Sequence, residues 1–388
     1  MPNESLTLLS DVVSESTDRR AFLARASRLG LVLPAAGALA GCSDDGEDRT
    51  RLDTSAAQQR SPSMLQNPNS RLDTAHDVRG HTTSTAEGAA TGVQPIPYRR
   101  WDPTVPPPSS NRTHRLAWSA TEVPIHITPD VVVAAWTFES DIPGPTVRCR
   151  VGDTVEFTLT NRGKLPHSMD FHAAQIDPNA AFRSVVPGES VSFTFQPKYA
   201  GAFKYHCGSA PVLMHIGSGM YGAIIVDPPT PLPPAKEFVL VQSEYYLSPA
   251  GGGVQAFDYD KMLATMPDYV AFNGRPSQYV AEPIRVKVGD RVRLYVISAG
   301  PTHPCAFHVV GEQFDRVYLG APPEVPLRGV QTFAVPAGGG MVFELVCDIA
   351  GEFPFVNHGF GHGQKGAIGF LVVEPGRAAR GARHPTFS

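Results

Sequence analysis

Two stretches decide the fold: Val147-Arg-Cys-Arg-Val-Gly-Asp-Thr-Val-Glu-Phe157 and Ile284-Arg-Val-Lys-Val-Gly-Asp-Arg-Val-Arg-Leu294. Each alternates apolar and polar residues on both sides of a Val-Gly-Asp, the pattern of two half-buried strands joined by a turn. Two further pairs follow in the same order, Gly201-Ala-Phe-Lys-Tyr205 with Gly351-Glu-Phe-Pro-Phe355, and Gly222-Ala-Ile-Ile-Val226 with Gly366-Ala-Ile-Gly-Phe370. Ordered self-similarity of this kind marks a duplicated unit. From about Asn111 onward the chain is short β-branched and aromatic runs punctuated by Gly, Pro, Asn and Asp, with a helical pattern only around Tyr259 to Met266. The expected fold is all-β, two tandem Greek-key sandwiches or barrels.

The domain plan follows. Residues 111–227 form the first domain, the Pro-rich 228–237 the linker, 238–376 the second domain and 377–388 a tail. A chain of 388 residues with 42% hydrophobic content can bury such cores, and a net charge of -4 with no basic stripe excludes nucleic-acid binding. Residues 1–42 read as an export address: Asp18-Arg-Arg-Ala-Phe-Leu23 resembles a twin-arginine signal and Leu39-Ala-Gly-Cys42 a lipobox whose Cys42 is acylated. The expected location is the periplasm or cell envelope, with a lipid anchor in a membrane. Residues 43–110 are too poor in large apolar side chains to offset their ordering entropy and read as a tether, stiffened by proline from Pro95 to Pro108. Of five cysteines, Cys149, Cys305 and Cys347 lie in or near strand-like runs and read as buried free thiols.

Chemistry concentrates between Tyr205 and Gly222, YHCGSAPVLMHIGSGMYG. Cys207, His215 and Met220 have the types and order of a blue-copper loop, thiolate and imidazole binding strongly and thioether weakly. The remaining imidazole has two nearby candidates, His167 and His172, and His167, after a proline at a strand edge, is the better ligand. Side chains alternate along a strand, so if Cys207 points into its domain His206 points out. His172, five residues past His167, also reverses direction. Together they make half of a second metal site. The second copy has no cysteine at the place of Cys207, and the Gly-Ala-Ile match puts Gln364 at the place of Met220.

Pro166-His-Ser-Met-Asp-Phe-His172, Tyr205-His-Cys207 and His215 to Met220 together resemble the two-domain copper-containing nitrite reductases of the cupredoxin superfamily, most closely their compact lipid-anchored members, over about Arg99 to Pro375. The resemblance implies type 1 copper at His167, Cys207, His215 and Met220. It implies type 2 copper at His172, His206 and His358, the last from the neighbouring subunit of a homotrimer. It further implies Asp170 and His308 as catalytic residues, Val310 in the substrate pocket, nitrite as substrate, and a small cupredoxin or cytochrome c as electron donor. Asp170 as a turn cap and His308 as a core histidine are the plainer alternatives, and the extra histidines His303 and His362 lie near the assigned ones. A laccase-like two-domain oxidase would need His-X-His pairs, and none of the thirteen histidines has another two residues on. A copper electron carrier with a decayed second site would lack one of His172, His206 and His358. All are present.

Overall fold

The computed structural model of the chain describes residues 93–249, 253–318 and 326–376, all within one compact unit. The expected signal, Cys42, the tether up to residue 92 and the tail lie outside the described residues.

The first half contributes β1 (Thr113–His126), β2 (Val132–Phe138), β3 (Val147–Arg150), β4 (Thr154–Asn161), β5 (Asp170–Phe171), β6 (Ser190–Phe195), β7 (Gly201–His206) and β8 (Tyr221–Asp227). The second contributes β9 (Lys236–Tyr245), β10 (Val254–Gln255), β11 (Tyr269–Phe272), β12 (Ile284–Lys287), β13 (Arg291–Gly300), β14 (Cys305–Val309), β15 (Arg316–Tyr318), β16 (Thr332–Val335), β17 (Gly340–Val346), β18 (Gly351–Asn357) and β19 (Ile368–Glu374). Short helices are α1 (Pro178–Ala181), α2 (Val212–Gly217), α3 (Tyr259–Leu263), α4 (Gln278–Ala281) and α5 (Phe360–Gln364). Four sheets result, in orders β10-β2-β1-β4-β6 and β3-β8-β7-β5 for the first sandwich, β11-β9-β13-β17-β15 and β12-β19-β18-β14-β16 for the second. The chain is all-β, as its alternation requires.

In β4 the pattern is strict: Val155, Phe157 and Leu159 are buried while their neighbours are half exposed. By contrast β8 and β13 are buried on nearly every residue, because one face meets their own core and the other meets the opposite half. Lys204 of β7 crosses that boundary to donate a 2.8 Å hydrogen bond to the Ala299 carbonyl of β13. The Pro-rich segment before β1 is pinned to both halves, Ile96 bridging Ile125 and Thr104 bridging Phe238, with Val105 buried. Under the site strands lies an aromatic cluster in which Trp118 meets Phe157 edge-on at 5.4 Å and Tyr205 at 5.1 Å.

Strand register corrects one sequence match. Tyr205 pairs with Gly222 in β7–β8, and Phe355 pairs with Gly369 in β18–β19. The structural counterpart of Gly222 is therefore Gly369, three residues beyond the Gly-Ala-Ile that resembles it, and the counterpart of Met220 is Ala367, not Gln364. Packing sets this register: a Cβ on either glycine would collide with the aromatic ring opposite. Matching backbone bonds agree. Cys207 N–H reaches Met220 O and Asn357 N–H reaches Ala367 O, each at 3.1 Å, while Met220 N–H reaches His215 O at 3.2 Å and Ala367 N–H reaches His362 O at 3.1 Å.

Candidate metal centres

Three first-half segments converge on one buried point. His167 sits in the loop before β5, held by a two-way backbone bridge to Val185 and by the Asn161 carboxamide, whose Nδ2 donates to Leu165 O and Val185 O at 2.7 Å each. Cys207 follows β7 directly, and His215 rides on α2. Cys207 Sγ lies 3.2 Å from His215 Nδ1, and the two Nδ1 atoms of His167 and His215 are 3.3 Å apart. The backbone N–H of Ser168 points at the sulfur from 3.3 Å, a donor that favours a thiolate. Met220, fully buried, is tied through its backbone to both Cys207 and His215. Burial opposes ionisation of Cys207, yet the charge of His215 and hydrogen bonds with His167 and His215 outweigh it and hold the thiol well below its ordinary value. Burial likewise lowers the His167 pKa, but its partners Cys207 and Glu122 raise it to about 9.

Glu122, which sequence reasoning missed, accepts a 2.8 Å hydrogen bond from His167 Nε2. Nothing distinguishes it in sequence from other polar residues of an alternating strand; only the fold brings β1 beside the His167 loop.

On the opposite face of β7, His206 Nε2 lies 3.0 Å from His172 Nε2 and 3.7 Å from Asp170 Oδ2. Asp170 and His206 are cross-strand partners in β5–β7, so a tight register places them together. Burial, then the charge of Lys204, pushes His206 down to about 3, and burial lowers His172 as well. Burial thus disfavours the charged form of both rings, and it is the neutral form that binds a metal. Burial raises the Asp170 carboxyl against the pull of His172 and Lys204, easing its protonation.

His308 and His358 come together elsewhere, ring centroids 5.4 Å apart, on a second-half face with exposed Val310 and Phe360. His308 Nδ1 donates to Gln331 O at 2.5 Å. Among the described residues of one chain, neither histidine reaches the His172–His206 pair, whose close group is completed by Asp170 alone. The extra histidines pair separately: His303 and His362 rings meet at 4.5 Å. At the Cys207 position of the second half, Asn357 accepts at Oδ1 the N–H of Ala306 at 3.3 Å, as the sulfur does from Ser168, and its Nδ2 lies 3.1 Å from His362 Nδ1. An amide thus fills the place of a thiolate. Cys149, Cys305 and Cys347 are buried and unpaired, and burial raises each thiol.

The donor set of the first cage fits copper: one sulfur and two imidazole nitrogens within 4.8 Å of one another, all buried, beside a buried thioether residue. Two sandwiches, one carrying a His-Cys-His cage, define a two-domain copper protein of the cupredoxin type. Residues 120–231 match the family model described as Multicopper oxidase. The copper-containing nitrite reductase of Neisseria meningitidis is 39% identical over 280 residues, 69% of this chain and 72% of that protein. That of Cereibacter sphaeroides is 30% identical over 308 residues, 70% of this chain and 81% of that protein. The structure of copper nitrite reductase from Nitrosomonas europaea superposes with a TM-score of 0.63 at 36% identity, covering 67% of this chain and 94% of that one. The chain belongs to the copper-containing nitrite reductase family.

Proposed function

We propose that this protein reduces nitrite to nitric oxide, using one electron and two protons and releasing water. Within that reaction His167, Cys207, His215 and Met220 hold a type 1 copper, and His172 and His206 hold a type 2 copper. The observation that carries the reading is that Cys207 and His206, adjacent in sequence at the end of β7, belong to two separate ligand groups. When bound, copper supplies a one-electron carrier at the thiolate and a Lewis-acid seat for a small anion at the imidazoles. The peptide joining Cys207 to His206 is the short covalent route between the two.

The remaining roles fall to this chain's side chains. Asp170, 3.7 Å from His206 Nε2, is placed to hydrogen-bond nitrite and give it a proton. His308, oriented by the Gln331 carbonyl, supplies or relays the second. The neighbouring subunit of a homotrimer completes the type 2 group with His358 and brings His308 and Val310 over it. Two features support this: the pair lacks a third imidazole among the described residues of its own chain, and His358 stands exposed with Val310 and Phe360. Acylated Cys42 anchors the mature protein in the cell envelope, where a small cupredoxin or cytochrome c delivers electrons.

The test is nitric oxide release from nitrite by copper-loaded protein with an artificial donor. Protein that shows both copper signatures and releases no nitric oxide has another substrate.

A further inference from the structure

Glu122 lies outside the ligand groups, yet its carboxylate is held in place by three N–H donors. Oε2 accepts the backbone N–H of Lys164 at 2.7 Å; Oε1 accepts that of Leu165 at 3.2 Å and the ring N–H of His167 at 2.8 Å. The loop is shaped to admit it. A Cβ at Gly163 would sit 2.5 Å from Oε1, so a side chain there would displace the carboxylate, and Asn161 Oδ1 fixes the Gly163 N–H at 2.9 Å. Glu122 also stands opposite Trp136 in β1–β2, and the Trp136 ring packs edge-on against His215 at 4.7 Å and His167 at 6.0 Å. One strand pair thus braces both imidazoles from behind.

A carboxylate only accepts, so in the neutral ring that binds a metal the proton of His167 belongs on Nε2 and the lone pair on Nδ1, the atom facing Cys207 and His215. A negative charge on the far nitrogen makes the near one a stronger donor, and a stronger donor favours the more highly charged metal state.

We propose that Glu122 is a positioning residue for the first copper group, fixing the tautomer and angle of His167 and lowering the reduction potential of the copper held there. This rests on the type 1 assignment above. Its consequence is a larger driving force for the electron leaving toward the His206 face.

The experiment uses full-length copper-loaded protein and reads the thiolate-to-copper absorption during redox titration, with no nitrite present. Glu122→Gln keeps the shape and removes the charge. The copper(I) to copper(II) ratio at fixed poise should rise about tenfold, which is about 59 mV for one electron. Glu122→Ala, which also frees the loop, should in addition lose copper about 10- to 100-fold more readily. Gly163→Ala, which moves the carboxylate without altering its charge, should shift the potential the same way by less. An unchanged potential in both Glu122→Gln and Gly163→Ala, with the absorption intact, overturns the proposal. Wild-type protein without the absorption overturns the type 1 assignment itself, and this inference with it.

Discussion

His206 Nδ1 donates a 2.9 Å hydrogen bond to the carbonyl of Cys207, the residue that follows it. The bond fixes the proton on Nδ1, leaves the Nε2 lone pair toward His172, and stiffens the one peptide that joins the two ligand groups. Cys207→Ser should therefore remove the visible copper absorption, leave copper at the His206 face, and cut nitric oxide formation from an external donor by at least about 100-fold, roughly 2.7 kcal/mol of barrier. Metal analysis, absorption and turnover of the same sample check all three.

Asp170 contributes a proton and no ligand in the proposed reaction. Asp170→Asn keeps the size and hydrogen-bonding reach of the side chain but cannot supply that proton, so kcat should fall by about 10²–10⁴. Copper content should be unchanged. A parallel loss of copper would mean that Asp170 is itself a ligand, a role its 3.7 Å approach to His206 Nε2 also allows in geometry.

In the proposed trimer the shared site depends on His358. His358→Ala should weaken copper binding at the His172–His206 pair by at least about 10- to 100-fold. Co-assembling His358→Ala chains with His172→Ala chains should then restore part of the activity, since a His358→Ala chain keeps its own pair and its neighbour provides His358. No restoration in proven mixed trimers means that the third ligand comes from the same chain.

Lys204 gives a pH signature. Burial lowers its folded pKa to about 7, against the pull of Asp170 and Glu244, from an ordinary 10.5. Between those values the unfolded chain binds more protons than the folded one, so the Lys204 contribution makes stability rise with pH from 7 to 10.5 and stay flat below 7. In metal-free protein the stability difference between wild type and Lys204→Met should therefore shift in favour of wild type across that window, at up to about 1.4 kcal/mol per pH unit. His167, raised to about 9, also titrates in that window but is common to both proteins and cancels. Denaturant midpoints at closely spaced pH values measure it.

The corrected register makes its own prediction. Gly222→Ala and Gly369→Ala each drive a methyl into the opposing aromatic ring and should cost about 1–3 kcal/mol, while Gly188→Ala, whose added methyl meets open space, bears only the strain of its positive φ. Thermal unfolding of the three variants separates collision from strain.

The sequence by itself determined the fold class, the duplication and three members of the first ligand group, because each is local: alternation of period two, a repeated Val-Gly-Asp turn, and Cys207, His215 and Met220 within fourteen residues. Alternation also determined that His206 and Cys207 point apart. Only the tertiary structure decided the rest. Gly222 resembles Gly366 by letters, but the ring of Phe355 needs its empty space at Gly369, and packing, not similarity, sets a register. Asn357 taking the thiolate's place, and Glu122 gripping His167 from 45 residues away in sequence, depend on which strands lie side by side. A hydrogen bond between distant strands leaves no periodicity in the chain. It exists once the sheets have formed.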